Sequence, residues 1–273
     1  MRLIDTHLHL SASDFKSDLN EVIERARNSG VEYMITIGSG YGAENYDEAI
    51  SISESYNLFF ATGVHPHDAD LGLKDRWNVE DYRSRLEGIV EDIKRISSNR
   101  RMVGIGEIGL DFYYDLSPRD VQKSTFLRFL QLSTEVRKPV IIHSRDSFGE
   151  TIGILRDFSG SVPIRGVFHC FSGDVEQAGQ VLDMGFYISI PGIVTFKRAE
   201  TMREVARYIP EDRLLIETDA PFLAPVPYRG KRNEPSYIVE TYKMVADIRN
   251  VSIDSLAESV IRNSFMCFDI RED

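Results

Sequence analysis

Cysteine is nearly absent from this chain of 273 residues: Cys170 and Cys267 are the two it has. They form neither a disulfide framework nor a Cys-x-x-Cys metal knuckle, so any metal chemistry must come from imidazole and carboxylate. Long apolar runs are missing as well. None approaches the roughly 20 residues that span a bilayer, and the first residues lack a basic segment followed by an apolar stretch. A cytoplasmic protein with no membrane partner is the expectation. Positive charge is scarce, with 32 Lys and Arg against 43 Asp and Glu, for a net charge of −11. That excludes a protein that coats duplex nucleic acid through a broad basic face, but not an enzyme that grips a few phosphates locally. No repeat, linker or low-complexity tract divides the chain. The single tryptophan, Trp77, reads as an apolar anchor ahead of a charged helix. One domain over residues 1–273 is ordinary for an α/β barrel.

What is present starts at the first strand, where Arg2-Leu3-Ile4-Asp5 runs into Thr6-His7-Leu8-His9-Leu10. Side chains two apart on an extended chain share a face, so His7 and His9 aim the same way and make half of a metal site. Alone, such a pair is as often packed or solvated as ligating, and later strand ends have to decide. Apolar runs predict further strands at Tyr33–Ile37, Leu58–Thr62, Arg101–Ile105, Pro139–Ile142, Arg165–Phe168, Tyr187–Ile190 and Leu214–Ile216. Helical spacing predicts helices between them, at Ser17–Asn28, Glu44–Ser55, Val79–Ser97 and Pro118–Arg137 among others, with two more at Tyr237–Arg249 and Ser252–Asn263. Eight βα repeats predict a (β/α)8 TIM barrel with extra C-terminal helices, whose chemistry gathers just past the strand ends. All six histidines, His7, His9, His65, His67, His143 and His169, fall at the ends of strands one, three, five and six.

Two divalent ions about 3.5–4 Å apart need a bridging carboxylate and a terminal set for each. Glu107, past strand four, is the natural bridge, and Asp219, past strand eight, lies beside strand one in a closed barrel. One ion then takes His7, His9, Glu107 and Asp219, and the second takes Glu107, His143 and His169. Such a pair activates water for hydrolysis, and Asp219 is also placed to take its proton. Mg2+, Mn2+ and Zn2+ all accept these donors, with Mg2+ the expected working ion. His65 has no place in either set and is assigned a phosphate or leaving-group contact; His67 is read as bonding within its loop.

The motifs around these residues are Asp5-Thr6-His7-Leu8-His9-Leu10, Gly63-Val64-His65-Pro66-His67, Gly106-Glu107-Ile108-Gly109-Leu110-Asp111, His143-Ser144-Arg145, His169-Cys170-Phe171-Ser172-Gly173 and Glu217-Thr218-Asp219-Ala220-Pro221. Together and in this order they resemble the TatD family of metal-dependent deoxyribonucleases, within the amidohydrolase-like hydrolase superfamily. The resemblance runs from Ile4 to about Tyr237. It implies a barrel, a divalent-metal site and 3′-to-5′ exonuclease action on DNA, preferably single-stranded, with DNA as the partner and no protein partner implied. The family's metal positions match His7, His9, Glu107, His143, His169 and Asp219 without substitution, while Leu8 and Phe222 depart from its usual residues. The loop holding Arg229, Lys231 and Arg232 also resembles the family's, and arginine forks suit phosphate oxygens. Arg145 is a further candidate phosphate contact, and Tyr113 or Tyr114 a base-stacking surface. The second reading is a metal-dependent amide or lactone hydrolase of the same superfamily. Many relatives there bridge their metals with a carbamylated lysine, whereas strand four here ends in Glu107 and Lys138 precedes strand five.

Overall fold

Eight parallel strands stand in sequence order around one sheet in the computed structural model, which describes residues 1–73, 78–160 and 162–271. Trp77 lies outside the described residues. The strands are β1 (Leu3–Leu8), β2 (Val31–Ser39), β3 (Phe59–Gly63), β4 (Met102–Asp111), β5 (Val140–Arg145), β6 (Gly166–Phe168), β7 (Tyr187–Ile190) and β8 (Leu214–Ile216). Helices α1 (Leu19–Asn28), α2 (Ala43–Tyr56), α3 (Val79–Ile96), α4 (Arg119–Val136), α5 (Phe148–Ser159), α6 (Val175–Asp183) and α7 (Glu200–Tyr208) connect them, and α8 (Ile238–Arg249) and α9 (Ile253–Phe268) follow. The sheet closes where Leu8 bridges Ala220 in parallel. The architecture is a (β/α)8 barrel.

Strands covered on both faces read as near-continuous apolar runs, and here every residue of β1 and of β4 is buried. The outer strand faces pack on helical stripes such as Tyr82, Leu86, Ile89, Val90 and Ile93 of α3. That helix starts where Asn78 accepts from the N–H groups of Glu80 and Asp81. A second cluster joins Ile35, Ile37, Ala61, Val103, Ile141, Val167 and Leu215 to Cys267 and Phe268 at the end of α9. Asn263 of α9 donates to the carbonyls of Glu211 and Leu214. The C-terminal helix therefore plugs the N-terminal end of the barrel, and the opposite end is left for the site. This packing carries α9 to Phe268, beyond the Asn263 expected from its spacing.

Two strands run furthest past their expected ends, in the direction that matters. β4 was expected to stop at Ile105 and β5 at Ile142, yet they continue to Asp111 and Arg145. The stretch from Gly104 to Gly109 has poor strand propensity, but glycine marks close backbone approach. Gly109 has φ +143, and a Cβ there would sit 2.0 Å from the carbonyl oxygen of His143. Gly109 pairs with His143 across β4 and β5. Missing side chains thus let β5 come close enough to bring His143 beside Glu107.

Candidate metal centre

Barrel closure assembles the first half of the site. Asp219 N–H donates to the His7 carbonyl at 2.9 Å, and His9 N–H donates to the Ala220 carbonyl at 2.7 Å. These bonds tie the end of β1 to the segment after β8, where Asp219 has a left-handed φ of 57°. The Nε2 atoms of His7 and His9 lie 3.3 Å apart. Asp219 Oδ1 is 3.4 Å from the His9 nitrogen and 3.8 Å from that of His7. Behind them Asp5 accepts from Thr218, Oδ2 from its hydroxyl at 2.6 Å and Oδ1 from its N–H at 3.0 Å. Burial pushes Asp5 up to about 8 against the pull of those donors.

Glu107 joins this half to the other. Its Oε2 lies 3.4 Å from His7 Nε2 and 3.7 Å from His9 Nε2. Its Oε1 lies 2.6 Å from His169 Nε2, 2.7 Å from His143 Nδ1 and 3.4 Å from His65 Nε2. Each carboxylate oxygen therefore faces a different set of imidazoles. Among the described residues, three groups of potential ligands each have their donor atoms within 4.8 Å of one another: His7, His169 and Asp219; His7, His9 and Glu107; His65, Glu107 and His143. The structure brings all six expected ligands together, but the partition is less clean than the sequence suggested. His169 stacks on His7 with ring centroids 3.9 Å apart, so it touches both halves. His65, given no place in either set, stands against Glu107 and His143. Two of the residues expected just past their strands, Glu107 and His143, lie within them, and His7 lies within β1 as its spacing predicts.

Carboxylates that the sequence reading left without a role support the imidazoles. Asp111 Oδ2 is 3.1 Å from His143 Nε2 and 2.8 Å from His67 Nε2, while Oδ1 accepts from the N–H groups of Tyr113 and Tyr114. His67 thus reaches across to β4 rather than bonding only within its loop. Glu217 Oε1 is 3.5 Å from His169 Nδ1 and accepts from the Cys170 N–H at 2.5 Å. A hydrogen-bonded partner such as Asp111 fixes the ring orientation of a ligating histidine, whereas Glu217 approaches His169 Nδ1 without a hydrogen bond to it. A signal for two of these carboxylates was available: Asp5 and Glu217 stand two residues before His7 and Asp219, on the same face of an extended chain.

The donor set fits divalent metal. Burial alone raises the Glu107 carboxyl, yet the imidazoles of His169, His65 and His143 reverse this and hold it well below the usual range. Burial lowers His169, but Glu107 and Glu217 prevail and push it well above the ordinary value. Burial carries His65 down to about 4 despite Glu107, and lowers His7, whose Nδ1 is buried without a partner. Five imidazoles converging on one buried carboxylate cannot all hold protons without mutual repulsion. Metal binding displaces such protons and puts neutral nitrogen lone pairs to use.

Around the mouth, the Arg145 guanidinium lies 4.3 Å from the ring centre of Tyr113 and 4.7 Å from that of Tyr114, and both tyrosines are exposed. Arg229 lies 4.1 Å over Phe196. Lys231 is exposed, 6.0 Å from the Tyr228 ring centre. Arg232 differs from the free phosphate fork expected of it. It pairs with both carboxylate oxygens of Asp18 at 2.7 Å, donates to the Asp14 carbonyl and covers Phe15, so its fork is used within the fold. Lys138 donates to the carbonyl of Met102 at the start of β4, far from the mouth.

A family profile described as TatD related DNase matches residues 4–269. The chain is 40% identical over 271 residues to an uncharacterized metal-dependent hydrolase, YabD, of Bacillus subtilis strain 168, covering 98% of this chain and 99% of that one. It is 31% identical to a protein named 3′-5′ ssDNA/RNA exonuclease TatD from Pantoea ananatis, covering 98% and 100% of the two chains. The crystal structure of YjjV, a TatD homologue from Escherichia coli K12, superposes with a TM-score of 0.85 at 28% identity over 99% of both chains. With this barrel, this cluster of imidazoles and carboxylates and these relatives, the chain belongs to the TatD-related DNase family of metal-dependent hydrolases.

Proposed function

We propose that this protein is a deoxyribonuclease that removes nucleotides from the 3′ end of single-stranded DNA, using two divalent ions, in the cell Mg2+, whose two ligand sets would share Glu107. The observation that carries the reading is the division of Glu107, whose Oε2 faces His7 and His9 while Oε1 faces His143 and His169. Divalent ions at such a site acidify water and neutralise charge on the oxygens of a scissile phosphodiester. Under this reading His7, His9, Glu107 and Asp219 would hold one ion and Glu107, His143 and His169 the other. The similarity to a protein named as a 3′-5′ exonuclease supports the substrate class.

The remaining steps belong to the chain's own groups. Asp219, with Oδ1 3.4 Å from the His9 nitrogen and 3.8 Å from that of His7, is placed to take a proton from the attacking water. His65 Nδ1 accepts from the His67 N–H at 3.1 Å, which leaves its Nε2 as a donor. That donor faces the site and suits a phosphate or leaving-group oxygen. Arg145, Arg229 and Lys231 supply positive charge along the mouth for the rest of the strand. Arg232 contributes indirectly, by pinning its loop to Asp18.

A time course tests the reading. Metal-stripped protein is mixed with 5′-labelled single-stranded DNA, with Mg2+ or Mn2+ restored in one arm and a chelator in the other. A metal-dependent ladder shortening from the 3′ end is expected. Intact DNA beside turnover of an amide or lactone panel would overturn the phosphodiester assignment and leave a hydrolase of another substrate class.

A further inference from the structure

Beside the mouth lies a second cavity of about 660 Å³, lined by Lys197, Arg198 and Arg229 together with Phe196, Ser172 and Met202. It lies among the segments that follow β6, β7 and β8, at the same end of the barrel as the metal ligands. A smaller cavity of about 150 Å³, lined by His169, shares Ser172 with it. Among the described residues, no acidic side chain lines the larger one.

The charged side chains that line this place are all of one sign. The chain carries a net charge of −11, and many of its cations are matched elsewhere, as in Arg2 with Glu32, Arg25 with Glu234 and Arg128 with Glu87. Among the described residues, Lys197, Arg198 and Arg229 form no ion pair. Arg229 rests instead on the half-buried Phe196 ring. Three exposed cations kept unpaired on an acidic surface, around an aromatic face, have the composition of a groove that takes alternating phosphates and bases.

We infer that this cavity binds the nucleotides on the 5′ side of the scissile bond, with Lys197, Arg198 and Arg229 on successive phosphates and Phe196 beside a base. The inference rests on the nuclease reading above. A strand cut at its 3′ end has only its 5′ portion left to hold, and a cavity that shares Ser172 with the one lined by His169 gives that portion a place. Its consequence is processive or length-dependent capture. Strands long enough to reach the cavity bind more tightly than strands that end at the metal ligands.

The test is the binding of the Mn2+-loaded full chain to oligothymidylates of two and six nucleotides, protected by phosphorothioate linkages and followed by fluorescence anisotropy. Wild-type Kd is expected to fall about tenfold or more from the short strand to the long one. In the triple variant Lys197→Ala, Arg198→Ala, Arg229→Ala that gain disappears, and the slope of log Kd against log salt for the longer strand drops by about 2. The double variant Lys197→Glu, Arg198→Glu keeps Arg229 on Phe196 and is expected to lose the gain as well. If wild type shortens unprotected DNA while both variants retain the full gain with length, the cavity assignment is overturned and the nuclease reading stands. If wild type neither binds the strands nor shortens DNA, both fall.

Discussion

Asp111 Oδ2 lies 3.1 Å from His143 Nε2, on the far side of a ring whose Nδ1 lies 2.7 Å from Glu107. A buried carboxylate on one nitrogen directs the proton there and leaves the other nitrogen's lone pair for a ligand. Asp111 is itself held by two backbone N–H groups and by the Gln122 side chain on its own amide. Asp111→Asn is therefore expected to weaken metal binding about 10- to 100-fold with the fold intact. Calorimetric titration with Mn2+ measures it, and wild-type affinity in the variant would sink the orienting role.

Close approach of β4 and β5 makes Gly109 a structural prerequisite of the site. A Cβ there would meet the His143 carbonyl at 2.0 Å in a backbone conformation with φ +143. Gly109→Ala is expected to cost about 3 kcal/mol or more, or to yield insoluble protein. Chemical denaturation checks this, and a variant as stable as wild type would contradict the packing argument.

Much of this was legible in the sequence. The order of strands and helices follows from alternating apolar runs and helical stripes, and the ligands follow from where the histidines sit. What stayed hidden has physical causes. Glycines at 104, 106 and 109 masked the true length of β4, because propensity reports side-chain packing and cannot see a neighbouring backbone. The end of α9 was missed because its apolar contacts, Cys267 and Phe268 against Val167 and Leu215, are tertiary. Arg232 looked like a phosphate fork because Asp18, its partner, lies 214 positions away.

That pairing gives a pH prediction. Arg232 beside it and Arg25 hold the Asp18 carboxyl down at about 2, against an ordinary value of 3.8. A depressed carboxylate stabilises the fold above its unfolded value, and the contribution is lost as pH falls through the folded value. Arg232→Ala is expected to lower Tm at pH 7, with the difference from wild type shrinking between about pH 4 and pH 2. Melting curves at both ends of that window measure it. A gap that stays constant with pH would show that the stacking on Phe15, rather than the ion pair, carries the effect.

Tyr113 stands exposed beside the Arg145 guanidinium. If a base stacks there, Tyr113→Ala weakens single-strand binding by about 1–3 kcal/mol. Tyr113→Phe keeps the ring and is expected to bind as wild type does. Equal affinity of the alanine variant, read by anisotropy, would assign the tyrosine to holding Arg145 alone.

The most direct measurement of the central claim takes one preparation of Glu107→Ala and determines both its bound metal per chain and its hydrolysis of single-stranded DNA. Because the two oxygens of Glu107 face both imidazole sets, metal occupancy is expected to fall from two ions per chain and hydrolysis to vanish with it. A variant that keeps two ions and wild-type turnover would contradict the account at its centre.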